Sequence, residues 1–172
     1  MRHPKGFSLI ELLIVVAIIL TIAAIAIPSL VRAKISANES SAAASVRQIT
    51  TAQVAYASSY PMVGYATNLV TLGPGAGNAT CGSSGPTSTT ACIIDGVLST
   101  GYKSGYQFLT VGDAAGGPSP NIEFVTSSAP LTYNVTGTRN FCMMTDGVLR
   151  LYIGATSIAP DIATCSTYQN AP

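Results

Sequence analysis

Between Leu12 and Val31 the chain runs for 20 residues without a formal charge. Wound as an α-helix, such a run is about 30 Å long, the thickness of the hydrocarbon core of a bilayer. A helix that is apolar on every side is not stable in water; it belongs in lipid or inside a protein assembly. Arg2 and Lys5 precede it, so the positive-inside rule keeps the N-terminus in the cytoplasm and sends the remainder across the membrane. Pro28 lies within the run. It has no amide hydrogen and is expected to kink the helix, which a bilayer or a bundle accommodates. One residue does not fit this picture: Glu11, a carboxylate at the head of the apolar run.

A charged side chain near the bilayer centre costs a few kcal/mol, and less near a helix end. Glu11 therefore needs a partner or a special location. Nothing within one or two turns is basic except Lys5, on the far side of Gly6. A cut between Gly6 and Phe7 would create a new α-amino group at Phe7, the one free cation near that depth. Within one chain this amine and the carboxylate four residues on could meet. Between two chains, Glu11 of one subunit could neutralise the amine of its neighbour and fix the axial register between identical copies. Such a pair in dry surroundings is far stronger than a surface ion pair.

The helical pattern continues past the apolar run. Ile35, Ala42, Val46, Ile49, Gln53, Tyr56 and Tyr60 recur at three- and four-residue spacing and form one stripe, while Ser36, Asn38, Ser40, Ser45 and Arg47 make the opposite face. With Pro61 as the stop, one element from Phe7 to Tyr60 is expected, roughly 80 Å long. Its second half should pack on a domain. Residues 61–104 read as a connection with a short helix at Ala66–Leu72, and Gly73–Cys92 is too rich in Gly, Ser, Thr and Pro to supply much core. Strand signals follow at Tyr106–Gly112, Ile122–Ser127, Asn140–Thr145 and Val148–Ile153, with a weaker one at Leu131–Val135. Asp146-Gly147 between two of them suggests a two-residue hairpin. The tail reads as irregular, and a Cys142–Cys165 bridge would pin it to the strand carrying Cys142. The fold class is α+β: a long kinked helix whose stripe covers one face of a four-stranded antiparallel sheet.

Charged residues make up 9% of the chain, against about 25% in typical soluble domains. Without Arg2 and Lys5, six basic side chains would face seven acidic ones. No basic stripe is present, so nucleic acid is not expected as a partner. The single histidine, His3, falls before Phe7. A chain cut after Gly6 would have no imidazole, which removes Ser-His-Asp and Cys-His catalysis and the usual zinc sites. The acidic residues Asp95, Asp113, Glu123, Asp146 and Asp161 are scattered, and calcium needs clustered oxygen ligands. No catalytic residue, metal or cofactor is therefore expected. Cys81, Cys92, Cys142 and Cys165 are separated by 11, 50 and 23 positions, with no C-x-x-C pair. Behind a membrane-targeting segment, four cysteines suggest two structural disulfides in an oxidising compartment. Three pairings are possible, and the sequential one closes the shortest loops.

KGFSLIELLIVVAII resembles the type IV prepilin signature: a short basic leader ending in Gly6, then Phe7, then glutamate four residues later. Pro28 and the long helix match the same family. Cys142 and Cys165 resemble the disulfide that bounds the C-terminal region of type IV pilins, and TRNFCMMTDGVLRLY is similar to the closing hairpin of pilin-like sheets. The signature covers about the first 30 residues; the fit beyond it is architectural. The resemblance implies a leader at 1–6, a transmembrane and filament-core helix at 7–34, and a globular head at 35–172. It implies cleavage after Gly6 and N-methylation of Phe7 by a prepilin peptidase, with Phe7, Glu11 and Pro28 acting in subunit assembly. The partners implied are the inner membrane, the pilus assembly machinery and further copies of the chain in a surface filament.

Three other readings fit less well. A secretory signal peptide cut near Ala24-Ile25-Ala26 would carry Glu11 inside its apolar region and would sever a continuous helical pattern. A membrane-anchored periplasmic enzyme would have no histidine after His3 and only scattered carboxylates to work with, and Lys103-Ser104 as the one opening for Ser-Lys chemistry. A type II secretion pseudopilin shares the leader and Glu11, but that family typically lacks disulfides and carries an acidic calcium loop.

Overall fold

The computed structural model describes residues 7–75, 81, 85–113 and 120–170. The leader with Gly6 lies outside them. The chain divides into two units, Met1–Lys34 and Ile35–Pro172. Helix α1 spans Leu9–Ser59, within two residues of the expected bounds, and contains Pro28. In the first unit, the Thr21 hydroxyl donates to the carbonyl of Ile18 at 2.8 Å. The one hydroxyl of the charge-free run before Pro28 is thus satisfied by its own helix, as a dry setting requires.

In the second unit, α1 is followed by short helices α2 (Leu69–Leu72) and α3 (Gly96–Ser99). Six strands come next: β1 (Tyr102–Lys103), β2 (Tyr106–Asp113), β3 (Glu123–Pro130), β4 (Arg139–Met144), β5 (Arg150–Ile153) and β6 (Gln169–Asn170), with α4 (Ile162–Ser166) between the last two. They form one sheet in the order β1-β2-β3-β4-β5-β6, every neighbouring pair antiparallel. The expected four strands are the inner ones. The two additions are two-residue edges, too short to show an alternating pattern in sequence.

Both faces of the sheet are covered, where the sequence suggested one. On the first face, Ala42, Val46, Ile49 and Tyr56 of α1 share a core with Tyr106, Phe108, Phe141 and Met143. On the other, Val125, Cys142 and Met144 pack with Ala159, Cys165 and Tyr168 of the C-terminal segment. Alternate residues of β4 thus serve opposite cores, and from its second residue onward β4, like β3, is buried throughout. A sheet covered on both sides loses the apolar–polar alternation of a half-solvated one.

The helix stripe is polar at one fully buried point. Gln53 accepts from the Ala66 amide at 2.8 Å and donates to the Ala66 carbonyl and the Thr110 hydroxyl, each at 2.9 Å. Thr110 in turn meets Thr126 at 2.9 Å. Burial without these partners would cost 1–3 kcal/mol per group, in order of magnitude ~. Two residues assigned to the solvent face behave otherwise. Ser45 is buried, and the Asn38 amide donates to the Thr136 carbonyl at 3.0 Å. Beside Asn38, Glu39 accepts from the amide and hydroxyl of Thr138, both at 2.7 Å, and pairs with Arg139 at 3.6 Å.

Three local expectations are corrected. Leu131–Val135 is a turn rather than a strand, because the Thr136 amide and hydroxyl both bond the Thr132 carbonyl. The short helix begins at Leu69, where Asn68 caps it by accepting from the Thr71 amide. The β4–β5 connection spans residues 145–149, since Cys142 registers with Arg150. Gly147 supplies the left-handed residue at φ 70°, and Asp146 stabilises the loop by accepting from the Val148 amide at 3.0 Å.

Arg150 donates to both oxygens of Asp146, at 3.1 and 2.5 Å. This pairing holds the Asp146 carboxyl below its ordinary value. A lowered folded-state pKa gives stability that is present above the usual carboxylate value of about 3.9 and lost as pH falls through the folded value. Asp146→Asn should therefore cost under about 1 kcal/mol at neutral pH, as expected of a partly exposed pair. Thermal melts of variant and wild type should converge as pH falls below the usual carboxylate range; a gap that widens in acid would refute the assignment.

Candidate assembly site at the N-terminal helix

Ser8 stands immediately before α1, and its amide donates to Oε2 of Glu11 at 3.1 Å. The Leu12 amide closes the first turn on the Ser8 carbonyl at 3.3 Å. Glu11 is thus the third residue of the helix and reaches back to the amide of the capping position. This is the glutamate half of a capping box, and a carboxylate in a first turn is also favoured by the helix dipole. The signal was present in the sequence as Ser8-x-x-Glu11, and reasoning from charge alone missed it. Among the described residues, Oε1 of Glu11 accepts no hydrogen bond, so one carboxylate oxygen remains available to an external cation.

Around it the surface is apolar without interruption. Phe7 is 83% exposed. Ile10, Leu13, Ile14 and Ile18, and further on Ile25 and Leu30, are all more than half exposed. The helix is long and apolar enough to cross a membrane, and none of its most apolar window is buried within the chain. Phe7 and Glu11 sit at its start, and Pro28 lies 17 residues beyond Glu11 in the same unit. Because proline has no amide hydrogen, the Ala24 carbonyl loses its usual helical partner.

The four cysteines all belong to the second unit. Cys81 is bonded to Cys92 and Cys142 to Cys165, the sequential pairing. No group of three or more His, Cys, Asp or Glu side chains capable of holding a metal occurs among the described residues.

Over residues 1–27 the sequence matches the prokaryotic N-terminal methylation motif. A type IV wide pilus major component of Thermus thermophilus, PilA4, is 59% identical to it over 39 residues. The N-terminal segment is therefore similar to that of type IV prepilin-type proteins. The matched segment amounts to 23% of this chain and 30% of the curated relative, so the likeness spans under a third of either chain. No solved structure matches the chain. Its long N-terminal helix, antiparallel sheet and disulfides are the α+β arrangement that the resemblance implied, with six strands in place of four.

Proposed function

We propose that this chain is a structural subunit of a type IV pilus, held in the inner membrane by residues 7–34 and then packed into a surface filament that carries residues 35–172 as its heads. A prepilin peptidase would cut after Gly6 and N-methylate Phe7. Glu11 would then neutralise the Phe7 amine of a neighbouring copy, and Pro28 would shape the packed helix. The observation that carries this reading is the exposed apolar segment headed by a carboxylate of which, among the described residues, one oxygen accepts no hydrogen bond. Lipid before assembly, and copies of itself afterwards, would both supply the cover that such a surface requires.

The mass of the N-terminal peptide from protein recovered from cells tests the processing. A peptide beginning at N-methylated Phe7 is expected. A start near Ile27 would mean a freely secreted domain, and an intact Met1 would mean a simple anchor; either refutes the proposal. A type II secretion pseudopilin would give the same peptide. Recovery of the chain in long sheared surface filaments separates the pilin reading from that one.

A further inference from the structure

The two disulfides differ in what surrounds them. Cys142 and Cys165 are each 0% exposed and lie in a core with Val125, Met144, Ala159 and Tyr168. Cys81 is exposed and Cys92 only half-buried. Exchange requires a thiolate to reach one sulfur in line with the S–S bond, so access decides which bond opens and which sulfur is struck.

The backbone adds a second asymmetry, on the side of Cys92. The Ala91 amide donates to Thr71 at 2.8 Å, the Cys92 amide to Gly73 at 3.2 Å and the Ile93 amide to Leu72 at 2.8 Å. These bonds hold the Cys92 backbone against the end of α2 independently of its sulfur atom. Cys92 also adopts φ 56°, a left-handed conformation that a non-glycine residue keeps only when its surroundings impose it.

We propose that Cys81–Cys92 is a surface thiol-exchange site, in which Cys81 receives a small external thiol and the anchored Cys92 acts as the resolving cysteine. The incoming thiolate attacks Sγ of Cys81. The Cys81–Cys92 bond breaks, and its electron pair leaves on Cys92 as a thiolate, which takes up a proton at neutral pH. One disulfide replaces another, so no oxidant or reductant is consumed. In the reverse step the Cys92 thiolate attacks Sγ of Cys81 and expels the thiol. The ligand class is a low-molecular-weight thiol, carried covalently on the head while the buried bond keeps the sheet closed.

Glutathione is the probe. The full chain in detergent is incubated with it at about pH 8, where an ordinary thiol is partly ionised. Free thiols are then trapped with N-ethylmaleimide and peptides are mapped by mass. Glutathione on Cys81, maleimide on Cys92 and an intact Cys142–Cys165 bond are expected, with the buried bond opening at least about tenfold more slowly. In Cys92→Ser the free Cys81 thiol is loaded with oxidised glutathione, its thiolate displacing one glutathione to form the mixed disulfide; that adduct should persist after glutathione is removed, whereas in wild type the Cys92 thiolate should expel it and reclose the bond. Glutathione found mainly on Cys92, or equal opening of both bonds, would overturn the proposal. So would absence of any adduct in folded protein when the guanidinium-unfolded chain reacts.

Discussion

Replacing Glu11 with alanine is expected to leave the head folded and to lower the yield of sheared filament at least about tenfold. Leaving one partner of a desolvated ion pair alone costs roughly 3–5 kcal/mol, and each 1.4 kcal/mol is about a factor of ten in an association constant. In Glu11→Ala the unpaired partner would be the Phe7 amine, buried against apolar helices. The capping contact offers a competing explanation, because alanine also removes the acceptor for the Ser8 amide. Loss of a cap costs only about 1 kcal/mol. Glu11→Gln separates the two effects, since a glutamine carbonyl can still accept from Ser8 but carries no charge. Filament yield, measured with membrane levels of the subunit held equal, should fall nearly as far in Glu11→Gln as in Glu11→Ala. Normal yield from Glu11→Gln would reduce Glu11 to a helix cap and remove the charge-pairing argument.

The largest stability effect is expected at Cys142 and Cys165. Their bond ties β4 to α4 and sits wholly inside the second core. Removing a disulfide that closes a loop of this size costs about 3 kcal/mol in chain entropy, and substituting alanine at two buried sites adds a loss of packing. The double variant Cys142→Ala, Cys165→Ala should therefore melt roughly 10 °C lower, followed by circular dichroism of the full chain in detergent. The corresponding variant of Cys81 and Cys92 should shift the melt less, because Cys81 is exposed, Cys92 is only half-buried and neither lies in a strand of the sheet. Equal shifts would mean that the C-terminal segment contributes little to holding the sheet.

What could be read from the sequence was whatever depends on near neighbours in the chain. The apolar run, Glu11, Pro28 and the limits of α1 were legible because a helix is built from contacts three and four residues apart. The stripe Ala42, Val46, Ile49, Gln53 and Tyr56 was found for the same reason, and each of these residues is buried. Errors began where distant segments decide. Asn38 was placed on the solvent face, but it meets Thr136, 98 positions away. The Asp146-Gly147 pair was read as a tight hairpin, yet pairing of β4 with β5 and the Asp146–Arg150 contact select a longer loop. The C-terminal segment was read as irregular because α4 is a five-residue helix capped by Asp161, too short to show a period. At the candidate site Phe7 and Glu11 were legible as part of the N-terminal motif that residues 1–27 match, and the capping contact of Glu11 was overlooked only because its charge was given a single use.

The sheet order follows the order of the chain, and that has a consequence for how the head acquires its structure. Each strand pairs with the one before it, so the pairing is local in the chain, which favours quick formation. The long-range closure lies elsewhere. Val46, Ile49 and Tyr56 come early in the chain, but the residues that cover them, such as Tyr106 and Phe141, come 50 or more positions later. Until then α1 carries a bare apolar face immediately after a segment that is apolar all round. Until that core closes, the stripe is open to contact with other chains. Gln53 and Glu39, which tie α1 to Ala66, Thr110 and Thr138, belong to that closure.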